Sequence, residues 1–277
     1  MGTPEFAVPA FHAVAAACDV VAVVTRPDQP RGRGRVMAES AVGRAAEPHG
    51  IERLKPDDPS AAAVLDGVRR LAPDLFAVVA FGAILSRELL AVPRLGSINL
   101  HGSLLPEYRG ASPVQRALWD GRSATGVTTL WMDEGIDLGD VILQRWEPIR
   151  AEDDAGTLAT RLATLGAPLL AESLLLAARG AAPRRAQNRA AGSYARKLVK
   201  SDGLMRWDRD ADSVWNHQRA VTPWPGASTL LRGKPVLLTR TRPLHRLALD
   251  AGPGTILGIE GDGIAVACSP ASCWCWR

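Results

Sequence analysis

Short, nearly continuous apolar runs alternate with helix-like stretches over the first two-thirds of the chain. Val20–Val24 and Leu75–Ala80 are apolar at every position, the pattern of strands covered on both faces of a parallel sheet. Between them the spacing predicts helices over Val36–Glu47 and Ala61–Leu71. A strand end is expected at Asn99–His101. Ser112-Pro113-Val114-Gln115 opens another helix, with Ser as cap, Pro at the first helical position and Gln completing a capping box. Gly121 is placed to end it. Gly126–Met132 reads as a strand, and Thr157–Arg179 as a long apolar helix closed by Gly180. This alternation predicts a doubly wound, Rossmann-like α/β domain.

From Gly180 to Gly203 no apolar period survives among Ala, Arg, Pro, Gly and Ser, which marks a linker. Short strand-like pieces follow at Ser228–Leu231, Pro235–Thr239, Gly254–Ile259 and Gly263–Cys268, separated by Gly and Pro turns. They predict a smaller β-barrel domain. The expected division is therefore 1–179, a connector over 180–203, and 204–277.

The 277 residues are 47% hydrophobic and 22% charged, enough for one large core or two smaller ones. There is no run of about 18 apolar residues and no basic-then-apolar leader at Met1–Phe6, so the cytoplasm is the expected compartment, without a membrane. Cys18 stands alone while Cys268, Cys273 and Cys275 crowd the last ten residues. That spacing suits neither a disulfide framework nor a zinc set, and no metal is expected. Charge is unevenly spread. Residues 179–203 carry seven basic side chains and one acid within a chain of net charge +4. A basic connector suggests a polyanionic partner, or else a solvated linker.

Asn99 and His101 lie two apart on the expected strand, so both point to one side, at the carboxyl end where open α/β sheets bind ligands. Downstream, Met132–Asp140 is an acidic, glycine-rich loop whose carboxylates could reach the histidine. Such a set suits acyl transfer to an amine. Asn would stabilise an oxyanion, His would move protons, and Asp would orient the imidazole. An isolated Asn-x-His is equally often structural.

The segment with His101-Gly-Ser-Leu-Leu-Pro106, Tyr108-Arg-Gly-Ala-Ser-Pro113, Gly126-Val-Thr128 and Gly135-Ile-Asp-Leu-Gly-Asp140 resembles the core of the 10-formyltetrahydrofolate-dependent formyltransferases. The resemblance implies catalytic roles for Asn99, His101 and Asp137, and folate contact by Ser103, Leu104, Leu105 and Pro106. Gly2–Ala7 and Arg26–Arg35 are similar to the branch that acts on initiator methionyl-tRNA, whose Arg-Gly loop touches the acceptor end. Arg31, Arg33 and Arg35 are the implied tRNA contacts, and flexible arginines suit phosphate. Arg219–Ala227 resembles that branch's way into an OB-like barrel, with Trp224 expected to pack rather than stack on a base. The implied enzyme is a metal-free monomer using 10-formyltetrahydrofolate. A sugar-nucleotide formyltransferase is the alternative, and a non-catalytic tRNA-binding or non-functional product is a third reading.

Two departures bear on stability. Family members carry an apolar strand just before Gly-Thr-Pro, where this sequence has only Met1. Either the sequence starts too late, which is the favoured reading, or a chain without that strand is badly destabilised. The Ser269–Arg277 stretch matches no strand or helix period, so the barrel is expected to lack a closing strand.

Overall fold

The computed structural model describes residues 1–31, 36–244, 251–261, 263–269 and 272–276. It falls into two compact units that interleave along the chain. One comprises Met1–Arg109, Gly126–Glu147 and Ala159–Tyr194, the other Gly110–Thr125, Pro148–Leu158 and Ala195–Arg277.

In chain order the first half holds α1 (Val8–Ala17), β1 (Val23–Val24), β2 (Gln29–Arg31), β3 (Val36–Ala38), α2 (Ala41–Ala46), β4 (Arg53–Leu54), α3 (Ala62–Arg70), β5 (Phe76–Val79), α4 (Arg87–Leu90), β6 (Ser97–His101) and β7 (Arg109–Gly110). Then come α5 (Pro113–Trp119), β8 (Ala124–Trp131), β9 (Val141–Pro148), α6 (Ala155–Ala178) and β10 (Tyr194–Ala195). The central sheet of the first unit runs β5-β6-β8-β9, with β5 and β6 parallel and β8 antiparallel to β6. Leu65 and Val68 of α3 bury against Val24, Phe76, Val78, Phe81 and Leu89. The α6 helix lies on the sheet. A Cβ at Gly166 would come within 2.8 Å of the Leu100 side chain, and the Ser173 and Thr129 hydroxyls bond at 2.7 Å.

Several elements differ from the expectation. The Val36–Glu47 stretch divides into strand β3 and helix α2, because Ser40 caps a new helix by accepting from the Gly43 amide at 2.9 Å. The capping box at Ser112 does not form. Its hydroxyl accepts from the Leu198 amide at 3.3 Å. By length and composition α6 could cross a bilayer, which corrects the reading that no stretch is long and apolar enough. Its Leu162, Leu169, Leu170 and Leu174 are nonetheless buried, as a core helix requires.

The second unit adds α7 (Ala211–Ala220), which the strand pattern did not suggest, then β11 (Ser228–Leu231), β12 (Lys234–Leu237), β13 (Thr241–Pro243), β14 (Ile256–Glu260), β15 (Gly263–Cys268) and β16 (Ser272–Trp276). β11 and β12 form a hairpin, and β13-β16-β15-β14 form an antiparallel sheet. The terminal stretch without a period is thus strand β16, inserted between β13 and β15. Trp224 is 56% exposed rather than packed.

Met1 and Gly2 run between β1 and β5. The Met1 amine donates to Ala77 O at 2.6 Å, Val79 N donates to Met1 O at 2.9 Å, and Gly2 N donates to Val24 O at 3.1 Å. This is parallel-ladder geometry continued by two residues. Beside them opens an apolar cavity of about 440 Å³, bounded by Val20–Val23, Leu75–Ala77, Phe11, Val14, Leu170 and Leu174.

Candidate active site

Asn99 and His101 project from the carboxyl end of β6, as their two-residue spacing predicts. His101 is only 6% exposed. Its Nε2 lies 2.8 Å from the Tyr108 carbonyl. A carbonyl only accepts, so this nitrogen carries a proton, and Nδ1 is the one turned toward Asp137. Asp137 Oδ2 stands 3.5 Å from Nδ1, and its Oδ1 accepts from Asn99 Nδ2 at 3.1 Å. The three residues named from the sequence therefore converge on one another.

Backbone conformation sets both partners of the imidazole. Tyr108 has φ 59° and Asp137 has φ 54°, left-handed values that a non-glycine residue adopts at a cost of about 1–2 kcal/mol. Close packing fixes the Asp137 loop. A Cβ at Gly139 would overlap the Trp131 carbonyl, and Trp131 N donates to Asp140 O at 2.9 Å.

The Ser103–Pro106 loop is rigidly held. Ser103 Oγ donates to Glu107 O at 2.6 Å, and Thr128 Oγ1 donates to Ser103 O at 2.6 Å. Leu105 N donates to Thr128 Oγ1 at 3.1 Å, and Gln144 Nε2 donates to Leu105 O at 2.9 Å. Leu105 is buried with Leu130 and Val141, so its side chain serves the core, whereas Leu104 and Pro106 are half-buried.

The loop Phe81–Leu85 was missed by sequence reasoning. It leaves the carboxyl end of β5, the parallel neighbour of β6, and presents Ile84 at 81% exposure. An apolar residue in a loop carries no periodic signal.

Of the basic residues, Arg31 lies on β2, paired in register with Val36, while Arg33 and Arg35 fall outside the described residues. The connector is less free than a solvated linker. Val141 and Arg185 exchange backbone hydrogen bonds at 2.9 and 3.1 Å, and Trp131 Nε1 donates to Pro183 O at 3.1 Å. Arg184 stacks over Trp131 at 4.2 Å, and Arg189 pairs with Asp133 at 2.9 Å.

Comparison with known proteins matches residues 8–174 to the formyl transferase domain and residues 197–275 to the formyl transferase C-terminal domain. The chain belongs to the formyltransferase family. It is 44% identical to the methionyl-tRNA formyltransferase of Citrifermentans bemidjiense over 98% of this chain and 85% of that protein. The methionyl-tRNA formyltransferase of Anaeromyxobacter dehalogenans is likewise 44% identical, over 97% and 86%. Among solved structures, the N-formyltransferase of Helicobacter canadensis with folinic acid and dTDP-3-aminofucose superposes with TM-score 0.71 at 15% identity, covering 100% and 97% of the two chains. HypX of Aquifex aeolicus with tetrahydrofolic acid gives 0.61 at 21%, covering 83% of this chain and 40% of that longer one. At those identities the structural likeness concerns the fold.

The packing at Gly139 gives a direct test of the loop. Gly139→Ala must move backbone away from Trp131, so formyl-transfer turnover should fall about 10-fold or more. The atoms nearest a Cβ at Gly135 belong instead to the Leu138 and Asp133 side chains, so Gly135→Ala should stay within about 3-fold of the parent. Equal effects in a steady-state assay would refute the constraint at Gly139.

Proposed function

We propose that this protein transfers the formyl group of 10-formyltetrahydrofolate to the amino group of methionine esterified to initiator tRNA. The convergence of Asn99, His101 and Asp137 at the end of β6 carries the reading, together with the 44% identity to enzymes of that name. The amine nitrogen forms a bond to the formyl carbon, the bond from that carbon to the folate nitrogen breaks, and the amine proton passes to the departing nitrogen. Asn99 keeps a second amide N–H for the oxyanion, a contribution worth about 10²-fold in comparable sites. His101 carries the proton through Nδ1, directly or through water, because Nε2 is held by Tyr108 O. Asp137 fixes the ring.

The folate is assigned to the side of the Ser103–Pro106 loop. Backbone groups of Ser103–Pro106, the half-buried Leu104 and Pro106, and the exposed Ile84 would flank its ring system. The hairpin of β2 and β3 displays Val36 and Met37 at 71% and 61% exposure. Arg31, Arg33 and Arg35 are the proposed contacts with the tRNA acceptor end. The division of labour follows the sequence: residues 1–179 catalyse, 180–203 connect, and 204–277 hold tRNA as an OB-like domain. The enzyme works as a cytoplasmic monomer, without a metal or a membrane.

Incubation with 10-formyltetrahydrofolate and methionyl-tRNA should yield formylmethionyl-tRNA. Formylation of a nucleotide-linked amino sugar and not of methionyl-tRNA would favour the sugar branch instead. Asn99→Ala and His101→Ala should each lower kcat about 10²-fold or more. Near-parental turnover in these variants would refute the mechanism.

A further inference from the structure

The connector segment does more than join two regions. Gln187 is half-buried, and its Nε2 donates to two backbone carbonyls of the acidic loop, Asp137 O at 2.9 Å and Gly139 O at 2.7 Å. Its Oε1 accepts from Arg109 Nε at 3.3 Å and Nη2 at 3.0 Å. Carbonyls only accept and a guanidinium only donates, so the amide orientation is fixed by its partners. Arg109 is itself buried, and donates further to Ala191 O at 3.0 Å and Asn188 O at 3.1 Å. The carbonyl of the left-handed Asp137 and that of Gly139 are thus clamped by one amide, which is anchored by one buried arginine.

The same segment reaches the other partner of His101. Ser193 Oγ accepts from Tyr108 N at 2.9 Å, and Ser193 O accepts from Arg109 N at 2.9 Å. Ser193 Oγ also donates to Glu107 at 2.6 Å. Both groups that grip the imidazole are therefore positioned from residues 187–193, a stretch with no apolar period to announce it.

We propose that Gln187 is the positioning residue for the Asp137 carboxylate, acting through the backbone of Asp137 and Gly139. The proposal rests on the assignment of Asn99, His101 and Asp137 as the catalytic set. Gln187 touches neither the imidazole nor the reacting atoms. Its loss lets the loop relax from the left-handed conformation and draws the carboxylate off Asn99 and His101.

The test uses the full-length protein with 10-formyltetrahydrofolate and methionyl-tRNA. Gln187→Met keeps the volume and removes all four hydrogen bonds. Gln187→Glu keeps the acceptor for Arg109 and removes only the donor to the carbonyls. Both should lower kcat about 10-fold, with KM for each substrate within about 2-fold and turnover normalised to the folded fraction from a thermal melt. In an Asp137→Asn background, Gln187→Met should cost less than about 2-fold more, because a residue acting through the carboxylate loses its effect when the carboxylate is gone. Parental kcat in Gln187→Glu, or a full 10-fold further loss in the double variant, would overturn the proposal while leaving the catalytic set standing. Parental turnover in Asp137→Asn alone would bring down the catalytic set and this proposal with it.

Discussion

The site depends on one imidazole held from opposite sides. Tyr108 O takes the Nε2 proton at 2.8 Å and Asp137 faces Nδ1 at 3.5 Å, so neither tautomer nor ring angle is free. Each grip comes from a residue with positive φ, and such residues persist only where their surroundings over-determine them. Packing against Trp131 over-determines the Asp137 loop from one side, and Gln187 does so from the other. Ser193 and the buried Arg109 do the same for Tyr108. The geometry of three side chains is thereby transferred to a frame of backbone carbonyls, where single hydrogen bonds of about 1 kcal/mol combine.

Much of this frame could be read in the sequence, and the reason is periodicity. β5, β6, β8 and α6 carry apolar residues at strand or helix spacing, and Asn99 and His101 sit two apart within such a run. The Asp137 loop announced itself through its acids and through Gly135 and Gly139, the second of which marks a close backbone approach. What escaped has no period. Gln187, Ser193 and Ile84 each meet one particular neighbour, far away in sequence or in an irregular loop. Ser112 shows the complementary failure. Its sequence fits a capping box, yet the Leu198 amide takes its hydroxyl, since a tertiary partner outcompetes a local one worth about the same. The Val36–Glu47 stretch failed because Ser40 caps a helix that begins midway along it.

In the second unit the same rule separates what was seen from what was not. The strands announced themselves by alternation and turns, whereas α7 buries only Ala211 and Val214 fully among its core apolar residues before Ala220 and is held as well by polar and aromatic contacts. His217 stacks on Trp119 at 4.0 Å and bonds to Asp202 O at 2.7 Å, and burial holds its pKa below the ordinary histidine value. Arg219, also buried, donates to Arg150 O at 3.0 Å and Asp153 O at 3.3 Å and lies over Trp215 at 3.9 Å. Desolvation lowers its pKa as well. A buried guanidinium is tolerated because carbonyls and an aromatic face replace water around it.

The connector's charge belongs in the same account. Seven basic side chains over 179–203 suggested a partner rich in phosphate, yet several already have protein partners: Arg184 on Trp131, Arg189 on Asp133, Arg196 on Asp202. Arg196 is tied to an Asp202 side chain that is only 10% exposed, but Arg184 and Arg189 are exposed, and exposed contacts contribute only about 0–1 kcal/mol. They can be exchanged for phosphate contacts at little cost. Gln187 and Ser193 cannot be, since they are tied to buried or strained groups of the site. One short segment can therefore turn a fixed, neutral set of hydrogen bonds toward the imidazole and a set of replaceable cations toward solvent. Its lack of apolar period, which marked it as a mere linker, is what allows both.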